Sequence, residues 1–81
     1  MRASVEISMY PLGPEYRTHI QSFIDRLNTH AGLSVQTNAL STQIFGELEQ
    51  IMPVLTREMA QAAGEGPQPI FVMKVLPGYR P

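Results

Sequence analysis

Two short segments contain the side chains best suited to binding a small molecule. In the first, Glu6, Ser8 and Tyr10 alternate with apolar residues, and in the second, Ser41, Thr42 and Gln43 are consecutive. Hydroxyl and amide groups form neutral hydrogen bonds, and a tyrosine ring adds a stacking surface. This mixture suits a flat, nitrogen-rich heterocycle, whereas the simpler interpretation is an ordinary solvated sheet face with alternating polar residues.

Other kinds of chemistry find no support in the sequence. The chain has no cysteine, and His19 and His30 have no carboxylate at a metal-ligand spacing, so we expect both to be surface residues. It also lacks a glycine-rich phosphate loop and a nucleophile beside a base. The sequence therefore predicts a protein that is not an enzyme and that contains neither a cofactor nor a metal.

Charge and length limit the partners. Six basic and seven acidic residues give a net charge of −1, which provides no footprint for nucleic acid. The sequence lacks both an apolar run long enough to span a membrane and a signal peptide, so we expect a cytoplasmic protein. The 81 residues suffice for one domain, 1–81, whose small core favours a homodimer or homotetramer.

The hydrophobic periodicity predicts six elements. Alternation predicts strands at 3–10, 33–39, 41–45 and 70–76, and apolar stripes predict helices at 15–31 and 47–63. Gly32 suits a left-handed position after the first helix, and Gly46 should end the third strand. Pro53 implies that the second helix is kinked or that its regular part starts later. The folded core should span 3–76, with a frayed tail at 77–81.

The order strand, helix, strand, strand, helix, strand predicts an α+β, ferredoxin-like βαββαβ fold. Its four-stranded antiparallel sheet should have the order 4-1-3-2, with both helices on one face. The helix-covered side is expected to receive Val5, Ile7, Met9, Thr42, Ile44, Phe71, Met73 and Val75. The other side is expected to hold Glu6, Ser8, Tyr10, Gln36, Ser41, Gln43 and Lys74.

Two stretches are more specific than this periodicity, VEISMYPL at 5–12 and ALSTQIFGE at 39–47. Together with FIDRL at 23–27 and the pair Gly32-Leu33, they resemble the YkoF-like thiamine/hydroxymethylpyrimidine-binding family and the related thiamine-binding-protein family. The resemblance covers roughly residues 3–76. It implies the same fold, binding of thiamine or its hydroxymethylpyrimidine precursor without catalysis, and a supporting role in thiamine uptake or salvage.

The resemblance also implies site residues and partners. Ser8 and Tyr10 from the first strand, with Ser41 and Thr42 from the third, would contact the ligand. Glu6 and Gln43 are added because they share the uncovered face. YkoF-like proteins can carry two tandem copies of this unit, so a second subunit would replace the missing copy here. A transporter of the thiamine precursor is a further expected partner.

Some alternatives remain open at this stage. Strict alternation sends Thr42 to the helix side, so the pocket lies either on the uncovered face or between sheet and helices. The ligand could be thiamine, the free pyrimidine or a phosphorylated form, although no basic cluster accompanies the two motifs. The other functional interpretations are a ferredoxin-like regulatory or assembly module without a thiamine ligand and, least supported, a small isomerase or monooxygenase.

Overall fold

Four strands and two helices follow one another in the predicted order. The computed structural model describes residues 1–78. Its elements are β1 (Arg2–Pro11), α1 (Tyr16–Leu27), β2 (Ser34–Thr37), β3 (Thr42–Glu47), α2 (Leu48–Gly64) and β4 (Pro69–Pro77). Neither described helix has the length and apolar run that a bilayer crossing requires.

The four strands form one antiparallel sheet in the order β2-β3-β1-β4, which confirms the predicted α+β ferredoxin-like topology. β1 is central, but its two neighbours cover different lengths of it. Pairing with β3 ends at Ile7 opposite Thr42, whereas pairing with β4 continues to Pro11 opposite Pro69. The last part of β1 therefore has a neighbouring strand on one side only.

The hydrophobic core lies between the sheet and the two helices. Alternation along β1 and β3 buries Val5, Ile7 and Ile44, as the sequence predicts, and the helix stripes add Phe23 and Leu55. Burying one such side chain contributes about 1.5–3 kcal/mol. The ring of Phe23 lies 5.0 Å from that of Phe71 at a 48° tilt, which ties α1 to β4.

The inward set predicted for β4 is only partly buried. Phe71 and Met73 pack against the core, but Val75 remains exposed although it pairs with Val5. β4 is an edge strand, and its far end contributes little to the core. Alternation assigned the correct face but could not indicate how far the helices extend over it.

The first helix is shorter than its apolar stripe suggests. It ends at Leu27 rather than Ala31. The Asn28 N–H still makes a helical hydrogen bond to the Ile24 carbonyl at 3.1 Å. The N–H groups of Thr29 and His30 instead donate to carbonyls only three residues back, and the Thr29 hydroxyl donates to the Arg26 carbonyl at 2.7 Å, so the regular helix ends here. Gly32 has φ +87°, the predicted left-handed conformation, but lies beyond the helix end.

The second helix begins at Leu48 and includes Pro53, so it does not start after the proline. Pro53 is exposed and has no N–H to donate to the Glu49 carbonyl. The predicted range of 47–63 is therefore displaced by one residue at each end.

The third and fourth strands are both longer than predicted. Gly46 continues β3 instead of ending it: a Cβ there would lie 3.0 Å from a Leu33 methyl group and 3.3 Å from the Gly32 carbonyl oxygen. A side chain here would crowd these two neighbours, so the glycine allows a close approach rather than a turn. β4 extends to Pro77, and the Gly78 N–H donates to the Arg2 carbonyl, so the tail does not begin at Pro77. Residues 79–81 of the predicted tail lie outside the described part of the chain.

A buried carboxylate on α2 forms an ion pair with an arginine on α1. Glu58 on α2 is 7% exposed, and its two carboxylate oxygens accept from Arg26 Nε at 2.7 Å and His30 Nε2 at 2.8 Å. Arg26 also donates to Glu65 at 2.7 Å. His30 is thus half-buried in an ion-pair network, which corrects the expectation of a plain surface residue.

Candidate functional site

A cavity of about 370 Å³ opens between α1 and the end of the sheet. Three parts of the chain surround it: residues 7–11 of β1, residues 37–42 at the β2–β3 connection, and the first turns of α1. Binding pockets for small molecules typically have volumes of about 300–1,000 Å³. This volume therefore fits a small ligand of one or two rings.

The cavity follows from the strand register. β1 continues for four residues beyond Ile7, whereas β3 begins only at Thr42, so no β3 residue lies beside residues 8–11. The β2–β3 connection passes this open edge, and Ile20 and Ile24 of α1 cover it from the helix side. The gap in the strand pairing thus becomes a lined space rather than part of the packed core.

Polar groups line the sheet side of the cavity. Thr42 is 5% exposed, and its Oγ1 lies 3.1 Å from Thr37 Oγ1 on the neighbouring strand. Asn38 Oδ1 accepts from the backbone N–H of Leu40 at 2.8 Å and of Ser41 at 3.1 Å, which forms an Asx turn. The Asn38 side chain therefore stabilises the conformation of the connection between β2 and β3.

The structure divides the six residues proposed from the sequence into two groups. Four of them, Ser8, Tyr10, Ser41 and Thr42, line the cavity together. Glu6 and Gln43 instead line a shallow depression on the helix-free face of the sheet, which we call the bare face. Glu6 reaches the first group indirectly, because its carboxylate accepts a hydrogen bond from Ser41 Oγ at 3.1 Å.

Several lining residues were not predicted from the sequence. Tyr16, Ile20, Phe23 and Ile24 form the helix wall, and the sequence analysis had counted them only as a core stripe. Asn38 falls near the end of the predicted strand 33–39, and no sequence motif indicated that it belongs to a site. A core-facing and a cavity-facing residue have the same spacing on a helix, so periodicity alone could not separate them.

Within residues 1–78, no residue that lines the cavity is charged and none is a histidine. The apolar helix wall suits the face of an aromatic ring, and the hydroxyl and amide groups suit its polar edge. A phosphate group would find no lysine or arginine among the described lining residues. These residues also include no carboxylate, histidine or lysine that could act as a general base.

Comparisons with solved structures support the fold. A protein of Streptococcus pneumoniae superposes with a TM-score of 0.89 at 22% identity, covering 98% of this chain and 89% of that one. A protein of Thermotoga maritima, named for thiamine biosynthesis or salvage, superposes with a TM-score of 0.84 at 16% identity, covering 99% and 85%. A protein of Methanocaldococcus jannaschii gives 0.79 at 21% identity, covering 91% and 77%.

Comparison at the level of sequence identifies the family. No curated protein matches this chain. The family model described as thiamine-binding protein matches residues 5–76, which include both polar strand segments and the whole cavity lining. The chain therefore belongs to the thiamine-binding protein family.

Proposed function

We propose that this protein binds the hydroxymethylpyrimidine ring, either free or as part of thiamine, in the cavity between α1 and the end of the sheet. The observation that carries the proposal is the lining itself, apolar on the helix side, hydroxyl-rich on the sheet side and uncharged throughout. Membership of a family named for thiamine binding gives the ligand class. The Thermotoga maritima neighbour, named for thiamine biosynthesis or salvage, agrees with a supporting role in thiamine salvage or uptake.

The ligand binds in its unphosphorylated form and is released from the protein chemically unchanged. Because none of the described lining residues is a cation, a phosphate ester would lose its water without gaining a charged partner there. Because the same residues offer no acid–base pair, we expect the protein to hold its ligand rather than convert it. This is a role of carrier, buffer or sensor, in which the ligand would be handed to or received from a transporter or enzyme.

A second copy of the chain is proposed to cover the bare face. Tyr10, Ile70, Val72 and Leu76 project from this side of β1 and β4, and each is between 48% and 55% exposed. Large apolar groups clustered on one surface of a small protein are typical of an interaction site. Tyr10 also lines the cavity, so assembly through this face would bring the partner close to the ligand site.

Titration calorimetry with hydroxymethylpyrimidine, thiamine and thiamine monophosphate tests the ligand. We expect heat of binding for the first two and at least roughly tenfold weaker binding for the phosphate ester. Chromatography of the ligand after overnight incubation should recover it unchanged. Absence of both binding heat and a thermal shift at millimolar concentrations of the first two compounds would contradict the proposal.

A further inference from the structure

Ser41 is fixed in place by three hydrogen bonds of its own. Its N–H donates to Asn38 Oδ1 and its carbonyl accepts from the Asn38 N–H, both at 3.1 Å. Its side-chain hydroxyl donates to Glu6 Oε2, also at 3.1 Å. The backbone and the hydroxyl hydrogen of a cavity-lining serine are therefore committed before any ligand arrives.

The direction of the hydroxyl bond determines what Ser41 can offer to a ligand. A carboxylate has no hydrogen to donate, so the single hydrogen of the serine hydroxyl must point toward Glu6. The remaining lone pairs of Oγ can only accept. Toward a ligand in the cavity that Ser41 lines, its Oγ can therefore only accept, whereas a free serine could turn and either donate or accept.

We propose that Glu6 is a positioning residue that sets ligand selectivity by holding the hydroxyl hydrogen of Ser41. At the ring position that faces Ser41, the site then prefers a pyrimidine with an amino group to one with a carbonyl group. This inference rests on the proposed function. An amino group donates an N–H to the Oγ lone pair, whereas a carbonyl oxygen would face another acceptor without a hydrogen between them. Glu6 acts through Ser41 and does not line the cavity itself.

The rest of the Glu6 environment leaves this arrangement intact. Lys74 Nζ lies 3.7 Å from Oε1, the other carboxylate oxygen, and the lysine side chain is 83% exposed. An exposed pair of this kind contributes little. Gln43 is the cross-strand neighbour of Glu6 on β3, and Lys74 is its neighbour on β4. Lys74→Met therefore serves as a matched control that removes a charge beside Glu6 but retains the bond to Ser41.

The test measures the affinities of hydroxymethylpyrimidine and of its 4-oxo counterpart by calorimetry on the same protein. The wild type should prefer the amino compound by roughly ten- to hundredfold, since the wrong pairing leaves buried acceptors unsatisfied. Glu6→Met frees the serine hydroxyl to rotate and should reduce the preference to below roughly threefold, through tighter binding of the oxo compound. Lys74→Met should keep the wild-type ratio.

A double-mutant cycle shows whether Glu6 acts through Ser41. Ser41→Ala should itself reduce the preference, and adding Glu6→Met to it should change the ratio no further. The inference is overturned if the wild type binds both pyrimidines equally, if Glu6→Met keeps the wild-type ratio, or if Glu6→Met still alters the ratio without the serine hydroxyl. Binding of neither compound by the wild type would refute the proposed function as well, so the two failures are distinguishable.

Discussion

Thr37 and Thr42 face each other across β2 and β3, with their hydroxyl oxygens 3.1 Å apart beside the cavity. One hydroxyl donates to the other, so the pair retains a single hydrogen with which to contact a ligand. Thr42 is the buried member and Thr37 is exposed to water. Loss of the Thr42 hydroxyl should therefore reduce ligand affinity more than loss of the Thr37 hydroxyl.

Thr42→Val replaces that hydroxyl with a methyl group of similar size. We expect affinity for hydroxymethylpyrimidine to fall by roughly three- to tenfold, the value of one hydrogen bond, because the exposed Thr37 can turn to water instead. Calorimetry measures the loss. Thr18→Val, at an exposed α1 position that does not line the cavity, is the control and should bind as the wild type does. Equal affinities for both variants would place the ligand elsewhere.

Tyr10 is one of the residues that line the cavity, and it is 55% exposed. If the ring stacks on the pyrimidine, Tyr10→Ala should cost about 0.5–1.5 kcal/mol of binding beyond the loss of buried area. Leu12→Ala removes an exposed apolar side chain two residues away that is not part of the lining. An equal effect of the two substitutions on the dissociation constant would argue against stacking at Tyr10.

The hydrophobic pattern was sufficient to predict the fold because Val5, Ile7 and Ile44 could face only one side of a sheet. It could not predict the cavity, which depends on β1 and β3 ceasing to pair at Ile7 and Thr42. Register of this kind depends on the turn and on packing across the sheet rather than on which residues are apolar. Likewise, the apolar stripe does not reveal that the N–H groups of Thr29 and His30 bond to carbonyls only three residues back, where the regular part of α1 ends.

The candidate site, like the fold, could be predicted from the sequence only in part. Ser8, Tyr10, Ser41 and Thr42, which the sequence analysis proposes as ligand contacts, all line one cavity, and their contact with a ligand stays a prediction. Glu6 and Gln43 were added to them because they share the uncovered face of the sheet. The structure places these two residues in the depression on the bare face, and the hydrogen bond between Glu6 and Ser41 connects that face with the cavity.

The Glu58 network predicts a stability change at acid pH. Burial raises the pKa of the Glu58 carboxyl, but hydrogen bonds from His30 and Arg26 together outweigh burial, and the net pKa is below the ordinary value of 4.5. A carboxyl with a lowered folded-state pKa contributes stability above its unfolded pKa and loses it as pH falls through the folded one. The contribution should therefore be present at pH 6 and decline below about pH 4.5.

Thermal unfolding of the wild type and Glu58→Gln between pH 7 and pH 3 checks this expectation. The variant should melt at a lower temperature at pH 6, because Arg26 and His30 lose their charged partner. The gap should narrow as pH falls, since the wild-type carboxylate becomes protonated whereas the glutamine does not titrate. A constant gap across the range would show that the charge of Glu58 does not stabilise the fold.

The bare face yields a final prediction about assembly. If a second copy covers Ile70, Val72 and Leu76, the protein should sediment as a dimer or tetramer, and dilution should lower its melting temperature. Val72→Lys places a charge in the middle of this surface and should yield monomers, because burying an unpaired ammonium group is costly. Gln50→Lys, at an exposed position on α2, adds the same charge away from the sheet and should leave the assembly intact. A monomeric wild type at every concentration would contradict assembly through this face, and the cavity would then have to bind its ligand within one chain.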